Sequence, residues 1–145
     1  MKISQYVTVT EVKRVCKELG LRDWTKIKEP DITAKEAKII LDIVNVKKMK
    51  IALEDFRMGL EVELEHGTRF ADANVTNNHP ILTGMIVLAH MKETLDYYER
   101  LDIAEIEGDL LKAVLAKKLD KIETKYKKLI KAQAALNKVV SAQLR

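Results

Sequence analysis

The C-terminal quarter of the chain carries the pattern that most limits its fold. From residue 109 to the end, apolar side chains recur every three or four positions, and neither proline nor glycine interrupts them. The stripe consists of Leu111, Leu115, Leu119, Ile122, Tyr126, Leu129, Ala132, Leu136, Val140 and Leu144. Its mean step is close to that of a straight α-helix, so no extended supercoil is required. The pattern predicts one long amphipathic helix over residues 109–145, and nine lysines make its polar face basic.

The rest of the chain also favours helices. It has only two prolines and five glycines among 145 residues, and aromatic residues make up 5%. Such a composition is typical of helices joined by short connections rather than of a sandwich or barrel. We therefore expect an all-α bundle of four to five helices. Its length fits a single domain over 1–145, from which the long C-terminal helix is free to project.

Capping signals mark where several helices begin. Thr8 with Glu11, and Thr33 with Glu36, each have the spacing of a capping box. A third helix is expected from near residue 50 to residue 66, and Pro80 suits the first position of a fourth. The predicted helix ends are Gly20, Asn45, Gly67 and a stop or bend within 102–108.

Two pairs of histidine and glutamate stand out on the predicted helices. Glu63 precedes His66 by three residues, and His90 precedes Glu93 by the same distance. Residues three apart share a helix face, so each pair can present a carboxylate and an imidazole to one point. These groups suit zinc, iron or manganese, which makes Glu63, His66, His90 and Glu93 the predicted ligands of a divalent metal. The second choices are Glu65 and Asp96.

The same residues also fit a purely structural interpretation. His66 and His90 can share hydrogen bonds with Glu63, Glu93, Asp96 and a tyrosine hydroxyl, and such a network is tolerated when all its members are satisfied. A metal-dependent hydrolase would use a glutamate to activate metal-bound water. The structural network is favoured over a metal, because such His/Glu pairs are common on helices and only three histidines are present. Without an evident nucleophile or substrate pocket, enzyme activity is the less favoured hypothesis.

The central segment resembles a known domain family. The shared pattern lies within residues 56–101 and comprises Glu63-Leu64-Glu65-His66-Gly67, Asn74-Val75-Thr76-Asn77, Pro80, Thr83-Gly84, Ala89-His90, Glu93 and Asp96-Tyr97-Tyr98-x-Arg100-Leu101. It is similar to an uncharacterised domain family of phage and bacterial proteins, whose reaction is unknown. The chain departs from that family's pattern at Asn78-His79, where an acidic pair is usual, and at Met85, where a lysine is frequent. The resemblance implies a shared fold and site, and a phage setting.

Net charge and cysteine content limit which binding partners and which cellular compartment are expected. The net charge of +4 is too mild to indicate nucleic acid by itself, and lysines opposite a leucine stripe usually form a solvated face, so nucleic acid is a less favoured partner. The lone Cys16 lies in an apolar pattern and suits a reducing compartment. Residues 1–10 do not resemble a signal peptide, and no apolar run is long enough to cross a membrane. We expect a protein of the cytoplasm or the virion interior, without a membrane partner.

Two functions remain open at this point. The first is a structural or assembly protein, phage-associated, which forms homo-oligomers or binds other subunits through its C-terminal helix. The second is a metal-binding module or metal-dependent hydrolase that uses the histidines and glutamates. Substitution of Ile122, Leu129 and Leu136 by polar residues would test the first, and His90→Ala would test the second.

Overall fold

The computed structural model describes residues 6–144, and within this range every regular element is a helix. Its α-helices are α1 Val9–Glu18, α2 Ala34–Val44, α3 Leu53–Arg69, α4 Pro80–Glu93, α5 Tyr97–Leu115 and α6 Leu119–Gln143. Short 3-10 turns occur at Trp24–Lys26 and Ala71–Ala73. The all-α prediction is confirmed. Two predictions fall partly outside the described residues. These are the comparison with signal peptides, which included residues 1–5, and the predicted long helix, which ended at Arg145.

Most of the predicted helix caps are present. The Thr8 hydroxyl accepts from the Glu11 backbone N–H at 3.2 Å, and Thr33 and Glu36 form both halves of a capping box. Gly20, at φ +64°, follows α1, where its N–H bonds the Lys17 carbonyl and the next N–H bonds that of Cys16. These two bonds form a Schellman motif, in which glycine is favoured because the residue is left-handed.

The described chain divides into two compact units between Lys92 and Glu93. In the first unit α2 packs against α3. Its buried apolar core comprises Val12, Cys16, Trp24, Ile32, Ala37, Ile40, Leu41, Phe56, Leu60, Leu64, Val87, Leu88 and Met91. A Cβ atom on Gly84 of α4 would lie 2.4 Å from Ile40 Cγ2 of α2, so this glycine permits the two helices to approach closely. The single domain expected over 1–145 stays a prediction.

A buried carboxylate ties the start of α2 to the connection before it. Glu36 accepts hydrogen bonds from the Arg22 guanidinium at 2.7 Å, the Trp24 indole N–H at 3.3 Å and the Thr33 backbone N–H at 3.1 Å. Burial alone would raise the pKa of Glu36, but the hydrogen bonds from Arg22 and Thr33 outweigh burial and hold this pKa at about 2. Glu36 is therefore ionised inside the fold.

The second unit is a hairpin of α5 and α6, which pack against each other. Ile106 and Ala113 of α5 and Leu129 of α6 are buried. Asp109 of α5 lies 2.5 Å from the Lys125 ammonium of α6. The hairpin thus combines an apolar seam with an ion pair.

The prediction of one helix over 109–145 is wrong. Residues 109–115 belong to α5, and the chain reverses at 116–118 before α6 begins. Lys117 has φ +53°, its N–H bonds the Val114 carbonyl, and the Lys118 N–H bonds that of Ala113. This is a second Schellman motif, but with lysine in the left-handed position. Without glycine at this position, the sequence pattern gave no sign of the break.

Two further helix boundaries differ from the predictions. Gly67 does not end α3, which continues to Arg69. The chain breaks at residues 94–96, earlier than the expected 102–108, and α5 runs through Gly108. The described residues therefore contain six helices rather than four to five.

No helix in the described range combines the length and the apolar character needed to cross a membrane.

Candidate functional site

The three glutamates on the acidic face of α3 have different surroundings. Glu61 accepts from the Ile32 backbone N–H at 3.1 Å and from the Arg57 guanidinium at 2.7 Å, which fixes α3 to the segment before α2. Glu65 is exposed and lies 3.4 Å from Arg69. Glu63 is different because only 12% of its side chain is exposed. Glu63 is therefore the least exposed carboxylate of the three.

Glu63 lies between two histidines. One carboxylate oxygen is 3.2 Å from Nδ1 of His90 on α4, and the other is 3.7 Å from Nδ1 of His66 on α3. The His90 side chain is half-buried, whereas half of the His66 side chain is exposed. We call Glu63, His66 and His90 the His/Glu cluster. It connects α3 to α4.

The other predicted ligands have different positions. Glu93 is the exposed last residue of α4. Asp96 is buried and accepts two hydrogen bonds from Arg100, at 3.0 and 2.8 Å, and one from the Thr94 hydroxyl. The bonds from Arg100 lower the pKa of Asp96 despite its burial. Asp96 is thus occupied by a local ion pair at the start of α5.

The geometry does not favour a metal. Within residues 6–144, no group of three or more His, Cys, Asp or Glu side chains has an arrangement that could hold a metal ion. Four ligands were predicted from the sequence, namely Glu63, His66, His90 and Glu93. Only the first three lie together in the structure. Their contacts fit a shared carboxylate between two imidazoles better than a coordination shell.

Asparagines of the loop after α3 dock on Gly67. The Asn74 amide donates to the Gly67 carbonyl at 3.1 Å and to the Asn78 side-chain oxygen at 2.7 Å. A Cβ on Gly67 would lie 2.1 Å from that oxygen and 2.9 Å from the Asn74 amide nitrogen. We call these three residues the Gly67 contact. Glycine is needed here for close approach, not to end the helix.

The next residues turn the loop into α4. Asn77 and Asn78 have φ of +48° and +59°, a left-handed conformation that asparagine tolerates better than most residues. Asn77 donates to the Val7 carbonyl at 2.5 Å. His79 is buried, and its Nδ1 accepts from the Leu82 backbone N–H at 3.4 Å. Burial lowers the pKa of His79, so this histidine acts as a neutral cap of α4.

A cleft of about 230 Å³ opens beside the cluster. Glu63, His66 and Asn74 line its polar part. Its other lining residues are Gly67, Phe70, Ala73, Val75, Thr76 and Ile86. The motif residues of α3 and those of the loop thus meet around one small opening.

Comparison with known families places this site in context. Residues 12–107 match the family model described as a protein of unknown function, DUF5661. The chain belongs to the DUF5661 family. No curated protein and no solved structure matches the chain. The DUF5661 match starts in α1 and ends in α5, so it extends well beyond the resemblance noted at 56–101, and α6 lies outside it.

Sequence reasoning found the charged part of this DUF5661 site but not its apolar part. Phe70 and Ile86 lie four residues from His66 and His90, respectively, which is a helical spacing, whereas Val75 lies in the loop. A usable signal was the presence of two large apolar residues, Phe70 and Val75, in a loop that is otherwise polar. Both are exposed in the structure.

Proposed function

We propose that this protein is a structural assembly module that pairs with a second copy of itself through the α5–α6 hairpin. The observation that carries the proposal is a set of large apolar side chains that the hairpin leaves exposed. We call this set the outer stripe, and it consists of Leu111, Val114, Leu115, Leu119, Tyr126 and Ile130. Leu115 is 74% exposed and Leu119 is 79% exposed. Apolar surface concentrated in this way is typical of an interaction site.

Charge favours a second copy as the occupant. Helix α5 carries five acidic and two basic side chains, a net charge of −3, whereas α6 carries six lysines and two acidic residues, a net charge of +4. In a two-fold pairing the same patch faces itself. Such a pairing can set α5 of each copy beside α6 of the other, which brings opposite charges together. Two hairpins paired in this way form a four-helix bundle.

The structure changes which residues best test this function. Leu129 is buried, and Ile122 and Leu136 are half-buried, on the side of α6 that packs within the hairpin. Polar substitution at these positions would disrupt the hairpin itself. The outer stripe can be altered without opening that seam, so it offers the cleaner test.

In this proposal the His/Glu cluster and the Gly67 contact keep the first unit rigid. The position of the half-buried Glu63 between two imidazoles and the asparagine bonds to α3 support a bracing role. A metal module using Glu63, His66, His90 and Glu93 is the second candidate, and the absence of a metal-holding group among the described residues weighs against it. If the chain comes from a phage, as the resemblance implies, the assembly would belong to the virion or a precursor of it.

The test is the mass of the protein in solution by light scattering, from about 5 to 500 µM. One chain has a mass of 16.6 kDa, and the proposal expects the unaltered protein to reach at least twice this value. The variants Leu115→Asn and Ile130→Asn should each shift it toward the single-chain mass, because they place a polar group where apolar contact is needed.

Val46→Asn is the matched control, since Val46 is 82% exposed in the first unit and should leave the mass unchanged. A single-chain mass across the whole range would overturn the proposal. So would binding of a monomer to anionic lipid vesicles through Leu115 and Ile130, which would assign the outer stripe to a lipid surface.

A further inference from the structure

We propose that the cleft beside the His/Glu cluster binds a small organic cation, namely an ammonium or guanidinium group carried on an apolar body. This inference concerns the first unit alone and does not depend on pairing through the hairpin. The cleft has a carboxylate at one side and apolar side chains at the other, which is the usual composition of a small-molecule site.

The polar side of the cleft is prepared for positive charge. Glu63 lines the opening, and its carboxylate contacts Nδ1 of His90 at 3.2 Å, whereas Nδ1 of His66 is farther away at 3.7 Å. A carboxylate that is already positioned binds a cation with less loss of side-chain freedom than a mobile surface glutamate. The lining residues include no lysine or arginine, so an anion would meet the Glu63 carboxylate without a compensating cationic side chain.

The apolar side of the cleft is where the apolar body of the ligand would pack. Phe70, Val75 and Ile86 line the cleft, and Phe70 and Val75 are exposed. The Arg69 guanidinium lies 5.4 Å from the centre of the Phe70 ring, so one face of this ring is already covered and only the rest of the ring is open to a ligand. A bound apolar group would cover side chains that now face water.

The size of the cleft limits the ligand. Its volume of about 230 Å³ lies below the roughly 300 to 1,000 Å³ of sites for drug-sized molecules. A phenethylammonium ion or a single arginine side chain is of a suitable size. The cation can therefore come from a free amine or from an arginine presented by a peptide.

The test is a titration followed by NMR of backbone amides and methyl groups, on the full chain at neutral pH. The probes are phenethylammonium, the peptide acetyl-Gly-Arg-Gly-amide and, as the anion of matched shape, phenylacetate. Saturable shifts at Gly67, Val75 and Ile86 are expected with the two cations and not with phenylacetate. The cation that binds more tightly identifies the source of the ligand.

Variants separate binding from folding. Glu63→Gln should weaken cation binding about tenfold or more, because it removes the charge and keeps a hydrogen-bond acceptor of the same shape. Glu65→Gln is the matched control, since Glu65 is exposed and does not line the cleft. Ala73→Leu should abolish binding by filling the cleft, and Ala73 is exposed, so the larger side chain does not enter the core. Equal shifts with phenylacetate, unchanged affinity in Glu63→Gln or in Ala73→Leu, or no saturable shift would overturn the proposal.

Discussion

The buried carboxylate of Glu36 shows how a single residue can make this fold sensitive to acid. Its pKa is held at about 2 in the folded protein, below the value near 4.5 that an unperturbed glutamate has. A carboxylate whose pKa is lower in the folded state than in the unfolded state stabilises the fold at pH values above its unfolded-state pKa. This stabilisation is lost as the pH falls through the folded-state pKa. The relevant window therefore runs from about pH 4.5 down to about pH 2.

We expect Glu36→Gln to reduce the free energy of unfolding at pH 7 by roughly 3–4 kcal/mol, since the pKa falls from 4.5 to about 2 and each pKa unit corresponds to about 1.4 kcal/mol. The variant should also lose less stability than the unaltered chain between pH 5 and pH 2.5. Urea unfolding at several pH values measures both effects. The same change at Glu29, which is exposed, serves as the control, and equal pH slopes for Glu36→Gln and the unaltered chain would contradict the argument.

Gly67 carries a second prediction at the scale of one residue. Gly67→Ala would place a methyl group against Asn78 and Asn74, and these amides cannot move without breaking the bond between them. A net loss of about 1–3 kcal/mol is expected, even though alanine favours helix by about 1 kcal/mol.

The control for this substitution is in α5. A Cβ on Gly108 would meet no atom within 4 Å, so Gly108→Ala should stabilise the protein by roughly 0.5–1 kcal/mol. Urea unfolding of both variants gives the comparison. Equal effects of the two substitutions would show that the Gly67 contact does not stabilise the fold.

At the scale of elements, the turn between α5 and α6 places a non-glycine residue in the left-handed region. Lys117 occupies the left-handed position of a Schellman motif, where a side chain costs about 1–2 kcal/mol relative to glycine. Gly20 occupies the equivalent position after α1 without this cost. The two motifs share a hydrogen-bond pattern and differ in the residue at its centre.

Lys117→Gly should therefore raise the stability of the hairpin by about 0.5–1 kcal/mol, after the greater freedom of glycine in the unfolded chain is counted. The thermal unfolding midpoint by circular dichroism provides the measurement. Lys118→Gly is the neighbouring control, because Lys118 has φ −95° and gains nothing from glycine. A gain at Lys118 equal to that at Lys117 would rule out relief of backbone strain as the cause.

The same contrast explains how far the sequence could predict the helices. The side chains of Thr8 and Thr33 cap the starts of α1 and α2, and Gly20 follows the end of α1, so these boundaries were predictable from the sequence. The break at Lys117 is made by backbone conformation alone and interrupts no apolar period. At Gly67 the opposite error arises, because a glycine required for close packing resembles one that ends a helix.

At the scale of the whole molecule, helical periodicity determined the fold class, but not how the last part of the chain is divided. A stripe from Leu111 to Leu144 fits one long helix and a hairpin equally well, since both keep the same local spacing. For the candidate site, the pairing of Glu63 with His66 follows from helix geometry. The approach of His90 to Glu63 depends on a contact between separate helices, which no local pattern encodes, whereas Phe70 and Ile86 keep a helical spacing from His66 and His90.

The position of Trp24 has a practical consequence for spectroscopy. It is the only tryptophan, it is fully buried in the first unit, and its indole N–H bonds Glu36. Its emission therefore reports the solvation of the first unit alone, whereas far-ultraviolet circular dichroism records the helices of both units. One sample thus carries an intrinsic optical label for the first unit, and comparing the two signals measures the cooperativity between the first unit and the hairpin without any introduced dye.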